Sequence, residues 1–430
     1  MVMSECSLKT VCDQCMSDPT CVWCPDPSIT TKCLDVNNAD KCSKDIISIK
    51  SDFKIVDNKP LVSESSENQF VQITPQKIEA KLRPNSPIDV NFQVAHAKDF
   101  PVDLYFLMDL SWSMRKSREN LAKTGGDIIS KIKEKTRNLA TGFGSFIEKN
   151  VQPFTSAISS YNCFDNDNCA PPYSFYHKSS LGNISSDEFY QAVMESPMGG
   201  NIDDPEGSLD ALMQVMVCGD RIGWREDSRK IIIVSTDRDY HFALDGKLAG
   251  IFTANDGKCH LNNTGDGSGY YTEGETLDYP SVSHINSVAT HRNFIIIFAV
   301  TEQYQKAYEA LAERITGSKV GVLEKDGSNI IQIVEEKYDE TLTEIKVMEN
   351  SDASVNISLD TNCEGESIKL GPNHCGTVSL GQSVNFTAKI SVGRCLDKAE
   401  IVSIFPLGLN ENLTIVVESD CDCNCKSLGI

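Results

Sequence analysis

Seven of the chain's 17 cysteines stand in its first 42 residues, at Cys6, Cys12, Cys15, Cys21, Cys24, Cys33 and Cys42. A segment this short cannot bury enough apolar surface to hold itself together, so it must be cross-linked. The pairs CDQC and CVWC have the look of zinc ligands. Only five residues separate Cys15 from Cys21, however, where zinc ribbons leave roughly a dozen or more between pairs. Disulfides remain, and with them an oxidising compartment. Because seven is odd, one of these cysteines must pair elsewhere. The sequons at Asn183, Asn262, Asn356, Asn385 and Asn412 agree with an extracellular setting. The opening MVMSECS has no apolar leader, and no run of 18 apolar residues occurs. With its odd total of cysteines, the chain reads as part of an ectodomain, anchored to the membrane through segments outside it.

Charge narrows the partners. The 61 acidic and 40 basic residues give a net charge of −21. That is the wrong sign for a nucleic-acid backbone or an anionic membrane surface, both of which attract Lys and Arg patches. Cations, or partners offering basic groups, fit instead. At about 150 residues per domain, 430 residues make two to four domains.

The apolar pattern changes twice along the chain. Between about 50 and 98, QKIEAKLRP and PIDVNFQVAHA alternate apolar and polar residues, as half-buried antiparallel strands do. The alternation returns after about 345 in ASVNISLD, SVNFTAKISV and LTIVVES. Residues 99 to 342 differ: DLYFLMDL, RKIIIVSTD, NFIIIFAVT and SKVGVLE are nearly continuous apolar strands. Leu209, Leu212, Met213, Met216 and Val217 between them keep helical spacing. This predicts a doubly wound α/β domain, with both sheet faces covered, inserted into a β-sandwich.

Such domains bind ligands at the carboxyl ends of their strands, where Asp109 and Asp237 both fall. Asp109, Ser111 and Ser113 offer a carboxylate and two hydroxyls two residues apart. The same residues would also suit a helix N-cap. NIDDPEGSLD adds Asn201, Asp203 and Glu206 before a helix, and these could equally be an acidic first turn. Convergence of all of them on one edge of the sheet favours a metal. Mg²⁺ wants six oxygens, and a set with few carboxylates leaves it cationic and open to an acidic group from a partner.

DLYFLMDLSWSM, GFGSFIEK, NIDDPEG, VCGDRIGWR, STDRDYHFALDGKLAGI, NDGKCHL, DYPS and IFAVT resemble the integrin β subunit, and the likeness runs from Cys6 to Cys425 with its cysteine framework. The resemblance implies a PSI domain at 1–48 and a hybrid β-sandwich at 49–98 and 343–420. A βI domain of von Willebrand A type would occupy 99–342, and an EGF-like region would begin at 421–430. It implies a Mg²⁺ adhesion site at Asp109, Ser111, Ser113 and Glu206, with Asp237 close by, whose coordination a ligand's Asp or Glu completes. A second, synergistic Ca²⁺ would be held by Glu148, Asn201, Asp203, the Pro205 carbonyl and Glu206; the family has Asp or Glu at the Glu148 position. The implied disulfides are Cys6–Cys21, Cys15–Cys33, Cys24–Cys42, Cys12–Cys423, Cys163–Cys169, Cys218–Cys259, Cys363–Cys375 and Cys395–Cys421, with Cys425 paired beyond this chain. CFDNDNC, which holds Cys163, Phe164, Asp165, Asp167 and Cys169, is similar to the family's specificity loop. Lys247 matches the residue that inserts into the α subunit. The function implied is that of a cell-surface adhesion receptor subunit, paired with an integrin α subunit and signalling through opening between the βI and hybrid domains.

The chain departs from the family at one place. Where members carry two carboxylates for a regulatory Ca²⁺ beside the adhesion site, this chain has Lys116 and Ser117. An ammonium a few ångströms from a cation costs about 1–4 kcal/mol even near the surface. The expectation is that this regulatory site, whose other ligands would be Asp237 and the Lys325 carbonyl, binds no metal. A further expectation is that Lys116, or else Arg115, lies near Asp237 in place of the ion.

Two other readings are weighed against this one. A secreted metal-dependent hydrolase would use similar oxygens, but no G-x-S-x-G, H-E-x-x-H or P-loop pattern occurs, and His241 reads as structural. A stand-alone von Willebrand A protein has no use for Lys247 or for a cysteine framework that continues past the chain.

Overall fold

The central part of the chain forms one seven-stranded sheet in the computed structural model, which describes residues 5–64, 69–156 and 169–420. Its strands are Val102–Asp109 (β1), Leu139–Phe146 (β2), Tyr176–Gly182 (β3), Arg229–Thr236 (β4), Gly269–Tyr270 (β5), Phe294–Thr301 (β6) and Ser318–Leu323 (β7). They lie in the order β5-β3-β2-β1-β4-β6-β7. The run from β2 to β7 is parallel, and β3 and β5 add an antiparallel edge. Every residue of β1, β2, β4 and β6 is buried. Strands buried on both faces need no polar side, which is why they read as unbroken apolar runs.

Helices cover the two faces: Arg115–Lys135 (α1), Ser186–Glu195 (α2), Ser208–Val217 (α3), Val282–His291 (α4), Gln305–Ala312 (α5) and Ile330–Thr343 (α6). Helix α3 buries nine of its ten residues, including Leu209, Leu212, Met213 and Met216. They join Tyr105, Phe146, Ile232 and Phe298 in one core. The chain winds to β2 on one side of β1 and to β4 on the other, so strand order reverses at β1.

β2 is not legible as a strand because LATGFGSF carries two glycines, which depress strand propensity. The structure supplies their reason. A Cβ on Gly144 would stand 2.3 Å from the Tyr105 hydroxyl, and one on Gly142 would stand 2.9 Å from the Tyr105 ring.

The chain separates into two compact units, one of Lys98–Thr341 with Leu407–Asn410, the other of Met1–Ala97, Leu342–Pro406 and Glu411–Ile430. In the second unit, strand Ile88–Ala95 pairs antiparallel with Ser383–Val392, and Lys77–Leu82 pairs parallel with Leu413–Ser419. A four-stranded and a seven-stranded sheet enclose a core that includes Phe92, Val94, Val384, Phe386, Ile404 and Ile415. The fold class is thus α/β plus β-sandwich.

At the amino terminus, Cys21–Trp23 pairs with Cys33–Asp35, and disulfides Cys6–Cys21, Cys15–Cys33 and Cys24–Cys42 hold the segment. The sulfurs of Cys6, Cys21 and Cys33 approach within 4.8 Å, but all three belong to disulfides and are not thiolate ligands. Cys218–Cys259 and Cys363–Cys375 are also bonded. Cys12, Cys169 and Cys395 are disulfide-bonded; Cys423, Cys163 and Cys421, expected to pair with them, lie outside the described residues. Cys425, Phe164, Asp165 and Asp167 lie outside them as well.

Candidate metal centre

The site grows from the carboxyl ends of β1 and β4, at the reversal of strand order where open α/β sheets place their ligands. β1 ends on Asp109, which is fully buried. One of its carboxylate oxygens accepts from the Ser111 backbone N–H at 2.7 Å, the other from the Thr236 hydroxyl at 2.7 Å. The hydroxyls of Ser111 and Ser113 lie 3.1 Å apart, and Ser113 donates to Asp237 at 2.8 Å. None of these side chains caps α1, whose N-cap is Met114 with no side-chain bond. Their oxygens turn towards one another instead.

A third loop closes the site. Its main chain is stitched to the other two: Gly199 N–H donates to the Leu110 carbonyl at 3.2 Å, Glu206 N–H to Asp239 at 3.0 Å, and His241 N–H to Glu206 at 3.0 Å. This pairing carries the buried Glu206 to the end of the sheet. Ser111, Ser113, Asn201, Asp203 and Glu206 line one cleft of about 440 Å³. Next to it, the Asn201 amide donates to Asp203 at 3.3 Å and to the Pro205 carbonyl at 3.2 Å. Glu148, fully buried beyond the end of β2, accepts from the Tyr279 hydroxyl.

The electrostatics are those of a site short of positive charge. Burial, and then the charge of Asp237, push the Asp109 carboxyl up to about 7. Burial raises Glu148 to about 8 and Asp237 above its usual range. Glu206 is held well above the carboxylate range by burial and then by Asp109, Glu148, Asp203 and Asp237. Glu148 Oε2 and Glu206 Oε2 are buried without a hydrogen-bond partner. The Glu206 oxygen, the Glu148 oxygen with only His241 Nε2 at 3.5 Å, two hydroxyls and an amide form the donor set of hard divalent cations. The residues present therefore fit hard divalent cations, one set being Asp109, Ser111, Ser113 and Glu206 and the other Glu148, Asn201, Asp203, Pro205 and Glu206.

Several partners were not foreseen from the sequence. His241 is buried, with Nδ1 3.0 Å from Asp245 and Nε2 3.0 Å from Asp203. Burial disfavours its charge, but hydrogen bonding to Asp203, the charge of Glu148 and hydrogen bonding to Asp245 outweigh it and raise the imidazole to about 9. Lys149 is buried against Asp210, with its ammonium 4.3 Å from the Tyr279 ring centre. Thr236 and Arg238 flank Asp237 in STDRD, and that adjacency was the one available signal.

One expectation is corrected. Lys116 is exposed and, among the described residues, forms no ion pair; Arg115 is also exposed and lies over the Trp112 ring. The cation beside Asp237 is Arg238, with Nε 3.7 Å from Oδ1. The physical reason is that Lys116 starts the outer face of α1, while Ser117 takes the inward position. Ser117 is buried against Gly327, where an added Cβ would come within 2.8 Å of Ser117 Cβ. Lys325 is exposed on the loop after β7.

Elsewhere, Lys247 is exposed on the short turn Asp245–Ala249, among the exposed Phe242, Leu244, Leu248 and Phe252. The sequon residues Asn183, Asn262, Asn356, Asn385 and Asn412 are all exposed.

Residues 97–345 match the family model described as the integrin beta chain VWA domain. Integrin beta-PS of Drosophila melanogaster is 36% identical over 85% of this chain and 43% of its own length. Integrin beta-7 of Mus musculus is 33% identical over 99% of the chain and 54% of its own, and integrin beta-1 of Gallus gallus 34% over 97% and 54%. The chain spans about half the length of these relatives. Among solved structures, the pilus adhesin SpaC of Lactobacillus rhamnosus GG covers 77% of the chain at 13% identity and a TM-score of 0.35, too slight a likeness to carry weight. The family match over most of the α/β unit, joined to relatives along nearly the whole chain, means that this chain belongs to the integrin beta family.

Proposed function

We propose that the chain is the ligand-binding portion of an adhesion-receptor subunit, which pairs with an integrin α subunit at the cell surface and binds acidic extracellular motifs through Mg²⁺. The observation that carries this reading is the buried Glu206 carboxylate, whose Oε2 has no hydrogen-bond partner, lining one open cleft with Ser111 and Ser113 beside the buried Asp109. Two carboxylates balance the charge of a bound Mg²⁺ and, with two neutral hydroxyls, leave its roughly six-oxygen shell incomplete, so a ligand carboxylate can be accommodated. Glu148, Asn201, Asp203 and the Pro205 carbonyl, sharing Glu206, suit a Ca²⁺ that would neutralise the acids behind. The regulatory neighbour, left with Asp237 and the Lys325 carbonyl, holds no metal, because Lys116 and Ser117 stand where two carboxylates would be.

Lys247 and the apolar residues around it support an α-subunit surface, because exposed apolar groups clustered about a charge are typical of partner contacts. The exposed sequons support an extracellular, glycosylated face. No helix among the described residues is long and apolar enough to cross a membrane. Hydrolysis is disfavoured because both ring nitrogens of His241 are committed to carboxylates, which leaves it unable to take a proton from a nucleophile.

The reading is tested by expressing the full-length subunit with α subunits in cells and plating them on a basement-membrane extract. Adhesion in Mg²⁺ is expected to be lost on chelation and in Asp109→Ala, with surface expression unchanged. Undiminished adhesion by well-expressed Asp109→Ala would rule the reading out.

A further inference from the structure

Arg238 borders two clefts, the one lined by Ser113, Asp204 and Glu206 and a second lined by Asp237, Lys325 and Asp326. The guanidinium joins two loops. Its Nη1 lies 2.6 Å from Asp204 Oδ1, and its Nε 3.7 Å from Asp237 Oδ1. Asp204 is oriented in turn by the Tyr304 hydroxyl, which donates to its other oxygen at 2.6 Å. The backbone of Arg238 is fixed too, since its N–H donates at 3.1 Å to Thr236 Oγ1, the hydroxyl that donates to Asp109. A planar guanidinium suits this bridging task, because its donors are held in a rigid fork and it does not deprotonate.

We propose that Arg238 is a positioning residue: a built-in monovalent counter-charge that ties Asp237 to Asp204, takes the place of a second divalent ion on the Lys325 side, and moderates the negative field that draws Mg²⁺ to Asp109. The proposal rests on the reading of the Asp109 cluster as a Mg²⁺ site. Its consequence has a sign. A positive charge several ångströms from a divalent ion weakens that ion's binding by roughly five- to tenfold at the dielectric of water, whereas a residue that only braces the loops would strengthen it.

Calorimetric titration of the chain with Mg²⁺ at 0.15 M salt separates the two. Arg238→Gln, which keeps much of the shape without the charge, is expected to bind Mg²⁺ about fivefold more tightly, with the gain shrinking at high salt. Arg238→Lys, which keeps the charge, is expected to stay within about twofold of the parent chain. Unchanged or weaker Mg²⁺ binding in Arg238→Gln would overturn the proposal, as would an equal gain in Arg238→Lys. Asp109→Ala provides a separate check on the underlying reading: persistence of its Mg²⁺ heat would refute the Asp109 site, while the Arg238 comparison tests the counter-charge.

Discussion

At the scale of the residue, position in the sheet decides which acids matter. Asp109, Ser111, Ser113 and Asp237 were legible because each follows an apolar strand closely, so sequence spacing alone brings it to the carboxyl edge. Asp203 and Glu206 come from a loop whose approach depends on long-range main-chain pairing, so their sequence also reads as an acidic first turn of a helix, and only family likeness points to Glu148. Arg238 went unread because a single arginine after an acid looks like any solvated side chain. His177 allows a different kind of test, away from the metal centre. It is buried between the Tyr105 hydroxyl, 2.8 Å from Nδ1, and Ser180, 3.1 Å from Nε2. Burial, and then the charge of Arg221, lower its pKa to about 4. Between that value and the unfolded value near 6.5 the unfolded chain binds the extra proton, so stability is full above about pH 6.5 and falls as pH drops towards 4. The loss should approach about 3 kcal/mol. Denaturant melts at pH 7 and pH 5 should show this slope in the parent chain and a flatter one in His177→Gln; identical slopes would reject the assignment.

At the scale of the element, apolar continuity revealed β1, β4, β6 and β7, and alternation revealed the sandwich strands, since each pattern reports how many faces are buried. β2 was hidden because its glycines answer to packing rather than propensity. Tyr105 lies across Gly142 and Gly144 and uses the space that side chains would fill. Gly144→Ala should therefore destabilise the α/β unit by about 1–3 kcal/mol through overpacking. In a Tyr105→Phe background, which lacks the hydroxyl 2.3 Å from the added Cβ, the same substitution should cost less. Thermal melts of the four variants measure the coupling, and strict additivity would show that the hydroxyl is not the obstacle.

At the scale of the whole molecule, the cysteine-rich amino terminus and the sandwich belong to one unit, and a buried arginine ties them together. Arg83 is 3% exposed and donates to the carbonyls of Met16 at 2.8 Å, Cys21 at 2.7 Å and Ile49 at 3.3 Å, and also to Asp18. No periodicity or motif signals such a residue, because its partners are backbone carbonyls brought near by disulfides. Arg83→Met should deprive the buried Met16 and Cys21 carbonyls of this donor, at a cost of about 3 kcal/mol or more. Limited proteolysis should then cut the amino-terminal segment at lower denaturant than in the parent chain, and unchanged resistance would contradict this.

The central claim at this scale is that a chain of net charge −21 concentrates its functional charge at one edge of one sheet, where it holds an adhesion ion and dispenses with the regulatory neighbour. Anomalous diffraction from crystals grown in Mn²⁺ tests it most directly. The account predicts one peak at roughly 2.1 Å from the hydroxyls of Ser111 and Ser113, and none between Ser117 and the Lys325 carbonyl. Absence of the first peak, or presence of the second, would contradict it.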